Sequence, residues 1–476
     1  MGQRPQGPVV VSAQKPGRRP NHQARRRTGK PAVPEGETVP GLAPRQAAAR
    51  LLSAVLDAHT PLDALTDGEH GHPQYLALDG RDRALVRAIL ISALRFHRTI
   101  ETIIAAQLDR PLPANARSLA ALLHVAAAQI LFLDVPDSAA VNIAVAQAKA
   151  DPRSVRFAAL VNAVLRNVSR SKETLLPKVL EEIRDAPDWM IRRLEAAYGR
   201  ETARRILDVH RSEPPVDFSV KSRAEYWAER LGGRVLPNGS VRVENLSAPI
   251  PELPGFAEGE WWVQDAAASL PPRLLGDVSG LDVADLCAAP GGKTAALALA
   301  GARVTAVDQS GSRLKRLKEN LARLGLAAEV VEADILKWLP GRRFDAILLD
   351  APCSSTGTAR RHPDVLWAKT PEDIAKLANL QRRLLERSLE LVKPGGTVVF
   401  ANCSLDREEG EDLILGLLKD RPDVLLDPIR PGELPGATHF ITSEGWLRTT
   451  PEVREDPAAL SGVDGFFAAR LRVAGR

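Results

Sequence analysis

Along the first third of the chain, apolar residues recur at helical spacing. Ala, Leu and Val fall three and four apart through residues 45–58, and the same period runs through 81–107, 114–133, 138–149 and 154–168. No stretch here alternates with the period of two that marks a half-buried strand. The pattern predicts a compact all-α domain over 44–170, with amphipathic faces buried against one another. Charge-rich helical stretches at 173–184, 189–198 and 201–210 continue it into a connecting lobe. The pattern changes at Pro214-Pro215. Strand-like runs at 216–220 and 240–243 around a helical run at 224–231 predict a small α/β subdomain, closing a region that spans 171–262. From 263 to 476, short apolar runs (282–287, 304–308, 329–331, 344–349, 397–402) alternate with helical ones (294–300, 313–324, 374–391). That alternation predicts a Rossmann-like, doubly wound α/β sheet. The last run, 466–473 after Gly465, is expected as an edge strand.

With 476 residues the chain has room for several cored domains, and 44% hydrophobic against 26% charged content is ordinary for a soluble protein. The net charge of +5 is modest, but its placement is uneven. Residues 1–34 hold Arg4, Lys15, Arg18, Arg19, Arg25, Arg26, Arg27 and Lys30 with no acidic residue. Rich also in Pro, Gly and Gln, residues 1–43 are expected as a disordered basic tail, either simply solvated or a phosphate tether to RNA. No apolar stretch is suited to span a bilayer, and the start lacks the apolar core of a signal peptide. The expectation is a cytoplasmic protein without membrane contact, most simply a monomer. Three widely spaced cysteines with no Cys-x-x-Cys pair argue against a disulfide framework or a structural zinc site. His70 and His72 stand in a Gly/Pro-rich stretch and are expected on a surface loop, so no metal is anticipated.

Each cysteine follows a strand candidate. Cys287 lies in Asp285-Leu-Cys-Ala-Ala-Pro-Gly-Gly-Lys-Thr294, Cys353 in Asp350-Ala-Pro-Cys-Ser-Ser-Thr-Gly357, and Cys403 in Ala401-Asn-Cys-Ser404. Strand ends on one edge of such a sheet form a site. Pro290-Gly291-Gly292 gives a turn where backbone can approach a ligand closely at a helix start. Gly292-Lys293-Thr294 also resembles the end of a phosphate-binding P-loop, but that pattern needs a glycine five residues before Gly292, where Cys287 stands. Asp308, fifteen residues after Lys293, ends the second strand candidate, Asp334 follows the third and Asp350 ends the fourth. One such acid would be read as a helix cap. Three in register with a glycine turn point to an adenosine-containing ligand, with Asp308 on the ribose and Asp334 near the adenine.

These motifs, with Arg361-His-Pro-Asp364, resemble those of the Sun/Fmu-type (RsmB-like) RNA 5-methylcytosine methyltransferases. Residues 44–170 resemble that family's NusB-like RNA-binding domain through Asp82-Arg83, Ala93-Leu-Arg95, Ala139-Ala-Val-Asn142 and Val161-Asn-Ala-Val-Leu-Arg166. Asp188-Trp189, Tyr198-Gly199, Val263-Gln-Asp-Ala266 and Asp464-Gly-Phe-Phe467 also match, so the resemblance covers most of the chain. It implies S-adenosyl-L-methionine as methyl donor and small-subunit (16S) ribosomal RNA as substrate. It places the cofactor at Cys287, Ala288, Ala289, Pro290, Gly291, Gly292, Lys293, Asp308, Asp334 and Asp350.

The chemistry explains why thiols are needed. C5 of cytosine is a poor nucleophile until a thiolate adds to C6 and makes C5 enamine-like. Cys353 follows a proline, as the nucleophile of DNA cytosine-C5 enzymes does. In the RNA family the later cysteine attacks and the earlier one assists release. The resemblance therefore implies Cys403 as nucleophile, Cys353 as helper and Asp350 at N3. The side chain of Cys287 is expected to pack inertly. Asn402 stands where the family usually has Thr, Leu366 where it has Lys, Ser92 where it has Gly, and Phe218-Ser-Val220 where it has Arg-Val-Asn. Arg360, Arg361 and His362 are candidates to grip RNA phosphates, and Arg95 and Arg166 to face RNA from the helical domain. Two rivals remain: a non-catalytic RNA-binding assembly or antitermination factor, and a methyltransferase acting on an exocyclic amine. Cys353, Cys403 and the series of acids at strand ends argue against the first. Against the second stands Asp350-Ala-Pro-Cys353, which lacks the Pro-Pro-aromatic loop of such enzymes.

Overall fold

The computed structural model describes residues 39–113 and 115–474, so most of the basic tail lies outside the described residues. Helices Leu42–Ala58, Gly80–Arg95, His97–Ala105, Arg117–Phe132, Asp137–Ala150 and Ala158–Glu182 build the helical domain. Leu51, Leu52, Ile89, Leu90, Ile100 and Leu123 meet in its core. Asp79 opens one of these helices by accepting from the Asp82 N–H, satisfying a donor that a first turn leaves free. Two boundaries depart from the apolar period. The stretch 81–107 breaks at Phe96, which leaves helical angles and stacks on Phe132 with ring centroids 3.8 Å apart. Conversely, 154–168 and 173–184 join in the one helix Ala158–Glu182, so residue 170 falls in mid-helix. Among the described residues no helix is long and apolar enough to cross a membrane, and no cluster of three or more His, Cys, Asp or Glu is placed to hold a metal.

Helices Asp188–Tyr198 and Arg200–His210 form a pair packed on Ala359, Leu366 and Leu405. Next comes a small antiparallel sheet of β1 (Val216–Val220), β2 (Arg234–Val235), β3 (Val241–Val243) and β4 (Trp261–Val263), in the order β2-β3-β1-β4. Helix Ala224–Leu231 packs on it through Trp227, Ala228 and Leu231. Phe218 is fully buried against Trp261, so the departure at that position serves this core.

The large sheet combines β5 (Asp282–Leu286), β6 (Arg303–Asp308), β7 (Glu329–Glu332), β8 (Phe344–Asp350), β9 (Val392–Asn402), β10 (Val424–Leu426), β11 (Leu447–Thr449) and β12 (Phe466–Val473). Its order is β10-β12-β9-β8-β5-β6-β7, with β11 also paired to β12. Strands β9-β8-β5-β6-β7 are parallel, and β12 runs antiparallel to β9. The expected doubly wound sheet is present, but β12 is not an edge strand. β10 and β11 cover its outer side, and three-residue strands are too short to show a period. Helix Pro371–Leu391 starts with a capping box between Thr370 and Asp373 and packs Leu384, Leu385 and Leu389 on the sheet core. The parallel order places the ends of β5, β8 and β9 side by side, each followed by a cysteine.

Candidate active site

β5 ends in a turn whose backbone is unusual. Cys287 takes φ 61° and Gly291 φ 102°, values that favour glycine. A Cβ at Gly291 would lie 2.9 Å from Leu317, so helix Gly292–Leu299 can start there only with glycine at its cap. Thr294 donates to Asp285 Oδ2 at 2.6 Å. Asp285 Oδ1 is buried without a partner, and burial pushes the carboxyl up to about 7. Burial, aided by the negative field of Asp350, Asp308 and Asp285, also pushes the Cys287 thiol far up, which fits an inert side chain.

Lys293 reaches across the strand ends and donates to Asp350 Oδ2 at 2.7 Å, with its Nζ 5.0 Å from the Phe466 ring centre. Burial would push its ammonium down, but Asp350 and a smaller pull from Cys403 outweigh this and hold it above its ordinary range. The sulfurs of Cys353 and Cys403 lie 3.4 Å apart. Contact with Cys403, burial and the charge of Glu409 push the Cys353 thiol well up. These surroundings favour the protonated form of Cys353.

A cavity of about 430 Å³ joins these groups. Cys287, Ala288, Ala289, Pro290, Gly292, Lys293, Asp350, Cys353 and Cys403 line it, together with Asp265, Arg361, Asp464 and Phe466. Gly291, Asp308 and Asp334 do not line it. Gly291 turns into the Leu317 contact. Asp308 is buried and accepts from the N–H groups of Ala289 and Ser310, clamping the turn from beneath. Asp334 accepts from the Leu336 N–H and pairs with Lys337.

The arginines expected at RNA sort differently. Arg360 is buried, pairing with Asp265 and with Asp464 and donating to the Gly462 carbonyl, so it cannot reach a phosphate. Arg361 pairs with the same two carboxylates but keeps an edge on the cavity. His362 is exposed near Asp63. Arg95 donates to the Arg360 carbonyl and joins the helical domain to the loop after Cys353. Arg166 stays exposed. The same loop receives the Leu62 N–H on Asp364 and sends the Trp367 indole N–H to the Leu94 carbonyl. Leu366 is buried among the paired helices, as its apolar character requires.

Sequence reasoning did not single out Glu409 or Gln381. Asn402 donates to the Glu409 carbonyl and accepts from Ser404 N–H, so it shapes the Cys403 loop from below. Glu409 reads in sequence as an ordinary acid before a helix, and only its full burial marks it out.

Comparison with known proteins agrees with this picture. The NusB family model matches residues 42–170, and the model for 16S rRNA methyltransferase RsmB/F matches residues 274–472. The ribosomal RNA small subunit methyltransferase B of Vibrio cholerae serotype O1 is 37% identical over 417 residues, covering 82% of this chain and 94% of that protein. The protein of the same name from Sodalis glossinidius is 36% identical over 445 residues, covering 90% and 97%. The crystal structure titled PH0851 shares the fold with a TM-score of 0.68 at 24% identity, covering 92% of this chain and 99% of that one.

S-adenosyl-L-methionine is the cofactor of this methyltransferase, and the residues present fit it. The turn bears no side chain at Gly292, where a Cβ would lie 3.3 Å from Gln264. The cationic sulfonium and ammonium of such a donor suit a cavity edged by Asp350, beneath which the buried Asp285 keeps one oxygen free. With both halves of the chain matched and its relatives aligned over most of its length, the chain belongs to the RsmB/F family of 16S ribosomal RNA methyltransferases.

Proposed function

We propose that this enzyme methylates C5 of a cytosine in small-subunit ribosomal RNA through a covalent adduct on Cys403. The observation that carries the reading is the pair of sulfurs 3.4 Å apart in a cavity shared with the glycine turn. Methylation of an exocyclic amine needs neither thiol, whereas methylation of C5 needs one to attack and gains from one to release.

The thiolate of Cys403 forms the S–C6 bond, and the electron pair passes through the ring toward N3 and C5. Asp350, held by Lys293, stands at the cavity edge to support N3. S-adenosyl-L-methionine supplies an electrophilic methyl group, which C5 takes with the released pair. Solvent takes the C5 proton, and the C–H electron pair re-forms the C5–C6 double bond as the S–C6 bond breaks. Cys353 gives its proton to the departing Cys403 sulfur and is reprotonated from solvent, and Cys403 loses that proton again before the next cycle. Residues Cys287 to Lys293 would cradle the donor, while Asp308 and Asp334 would approach its ribose and adenine after a shift of their present hydrogen bonds. The target base must leave its stack to enter the cavity, and the helical domain, docked on the loop that follows Cys353, would bring RNA there.

The test is methyl transfer from labelled donor to undermodified small-subunit RNA, with the modified nucleoside identified. The expected product is 5-methylcytosine, abolished in Cys403→Ala. Cys353→Ala should accumulate a protein–RNA adduct. An N-methylated base, or near-normal turnover in Cys403→Ala, refutes the mechanism.

A further inference from the structure

We propose that Glu409 is a positioning residue that holds both thiols in reacting register through the serine next to each. This rests on the reading above and adds to it a third side chain, one that touches neither substrate nor donor.

Glu409 is fully buried. Its Oε1 accepts from the Ser354 N–H at 2.9 Å and from Gln381 Nε2 at 2.8 Å. Its Oε2 accepts from the Ser354 hydroxyl and, at 2.6 Å, from the Ser404 hydroxyl. Ser354 directly follows Cys353 and Ser404 directly follows Cys403, so one carboxylate grips both cysteine loops. The grip is braced from behind. Gln381, on helix Pro371–Leu391, also donates to the Pro352 carbonyl at 3.0 Å, one residue before Cys353. Thr356 lies 3.2 Å from the Ser404 hydroxyl and accepts from the Leu405 N–H.

Among the described residues Glu409 forms no ion pair. The nearby Arg448 binds Glu411 and the Ser404 carbonyl instead. A buried carboxylate held by neutral donors alone is costly to maintain, and an apolar side chain would fill the same space more cheaply. What a carboxylate offers is four acceptor sites and no donor, which suits four donors arriving from two loops and a helix. Glutamine has the same shape but would turn an N–H₂ toward donors. Burial raises the Glu409 carboxyl, and the hydrogen bonds from Ser354, Ser404 and Gln381 oppose that shift.

A merely structural role predicts loss of folded protein with all kinetic constants drifting together. Positioning predicts a split. Misalignment of reacting groups by about 1 Å costs on the order of a hundredfold in rate. Glu409→Gln should therefore lower kcat by about ten- to a hundredfold, while the KM for S-adenosyl-L-methionine stays within about twofold, because the glycine turn lies on another strand. Single-leg variants make the test independent of whether Glu409→Gln folds. Ser404→Ala loosens the attacking loop and should slow adduct formation. Ser354→Ala loosens the releasing loop and should let adduct accumulate. Wild type, Cys403→Ala and Cys353→Ala run alongside. If those controls behave as described above but both serine variants and Glu409→Gln turn over at the wild-type rate, the positioning role is overturned and the mechanism stands. If kcat and the donor KM move together in every variant, the role is structural and the inference is likewise overturned. If the cysteine controls fail, the underlying mechanism falls first.

Discussion

Gly357 is the position where one added methyl group should do most harm to the site without touching substrate. Its N–H donates to the Cys403 carbonyl at 2.9 Å, and its carbonyl accepts from the Gly465 N–H at 2.9 Å. The loop after Cys353, the loop of Cys403 and the start of β12 are thus joined backbone to backbone. An alanine Cβ at 357 would lie 2.0 Å from the Gly465 carbonyl oxygen and 2.8 Å from that of Cys403. Carbon and oxygen normally approach to about 3.3 Å at closest, so the loop must retreat by more than about 1 Å. Backbone atoms cannot rotate away as a flexible side chain would. Overpacking costs about 1–3 kcal/mol, and two strained hydrogen bonds add about 1 kcal/mol each. Gly357→Ala should therefore destabilise by about 3–5 kcal/mol, read as a shift in the urea midpoint. The same displacement separates the thiols and should cut turnover about a hundredfold, with donor binding by titration little changed. Equal midpoints and equal rates of adduct formation in variant and wild type would refute the claim that this junction sets the thiol geometry.

Arg360→Ala removes the fully buried one of the two guanidiniums that Asp265 and Asp464 share, leaving them only Arg361 at the cavity edge. Removing one member of such a network costs about 3–5 kcal/mol, so chemical denaturation should show a large loss. A loss of RNA affinity at unchanged stability would restore the phosphate-binding role. Asp285 gives a pH signature. Its carboxyl is raised to about 7 in the folded protein from an ordinary value of 3.8, so between those limits the folded chain holds a proton that the unfolded chain has lost. Stability falls as pH rises through this window and levels off above it. Asp285→Asn should flatten that slope relative to wild type, and parallel stability–pH curves would contradict the burial argument. Trp367→Ala removes both the hydrogen bond to Leu94 and the edge contact with His97. Faster hydrogen exchange across 59–67 and 94–97, at an unchanged rate within β5 and β8, is the expected outcome.

Much of the fold could be read in the chain because its signals are local. Helix 224–231 and strand 216–220 have the bounds that period and composition suggest, and the parallel strands deviate only at their ends. What escaped is what depends on contacts distant in sequence. The break at Phe96 follows from stacking on Phe132, and nothing within 81–107 announces it. β12 became an inner strand because two three-residue segments pair with it from outside. In the site, the cysteines and Lys293 were legible because their chemistry is uncommon. The fate of the arginines was not, since Arg360 and Arg361 are neighbours in sequence. Only the placement of Asp265 and Asp464, from remote strands and loops, buries one and leaves the other at the cavity. Glu409 was invisible for the same reason: its partners are Ser354, Gln381 and Ser404, and no spacing rule links them.

The thiol pair itself follows from strand register. β8 and β9 are parallel neighbours with Asp350 paired to Ala401. Cys353 comes three residues after Asp350, and Cys403 two after Ala401. Both chains leave the sheet at the same edge, and two loops of nearly equal reach bring their sulfurs into contact. Successive strand residues face opposite sides of a sheet, so a slip of one residue would turn Asn402 away from Gln381 and Glu409 and carry Cys403 with it. The register is locked from both flanks. β12 pairs with β9 through Phe467 and Asn402, and the Gly357 junction ties the exit loops together. On this view the buried polar groups beneath the thiols hold an alignment that the sheet has already set. The prediction is graded: cutting one serine leg should cost less activity than disrupting the Gly357 junction, and both should cost less than removing Cys403.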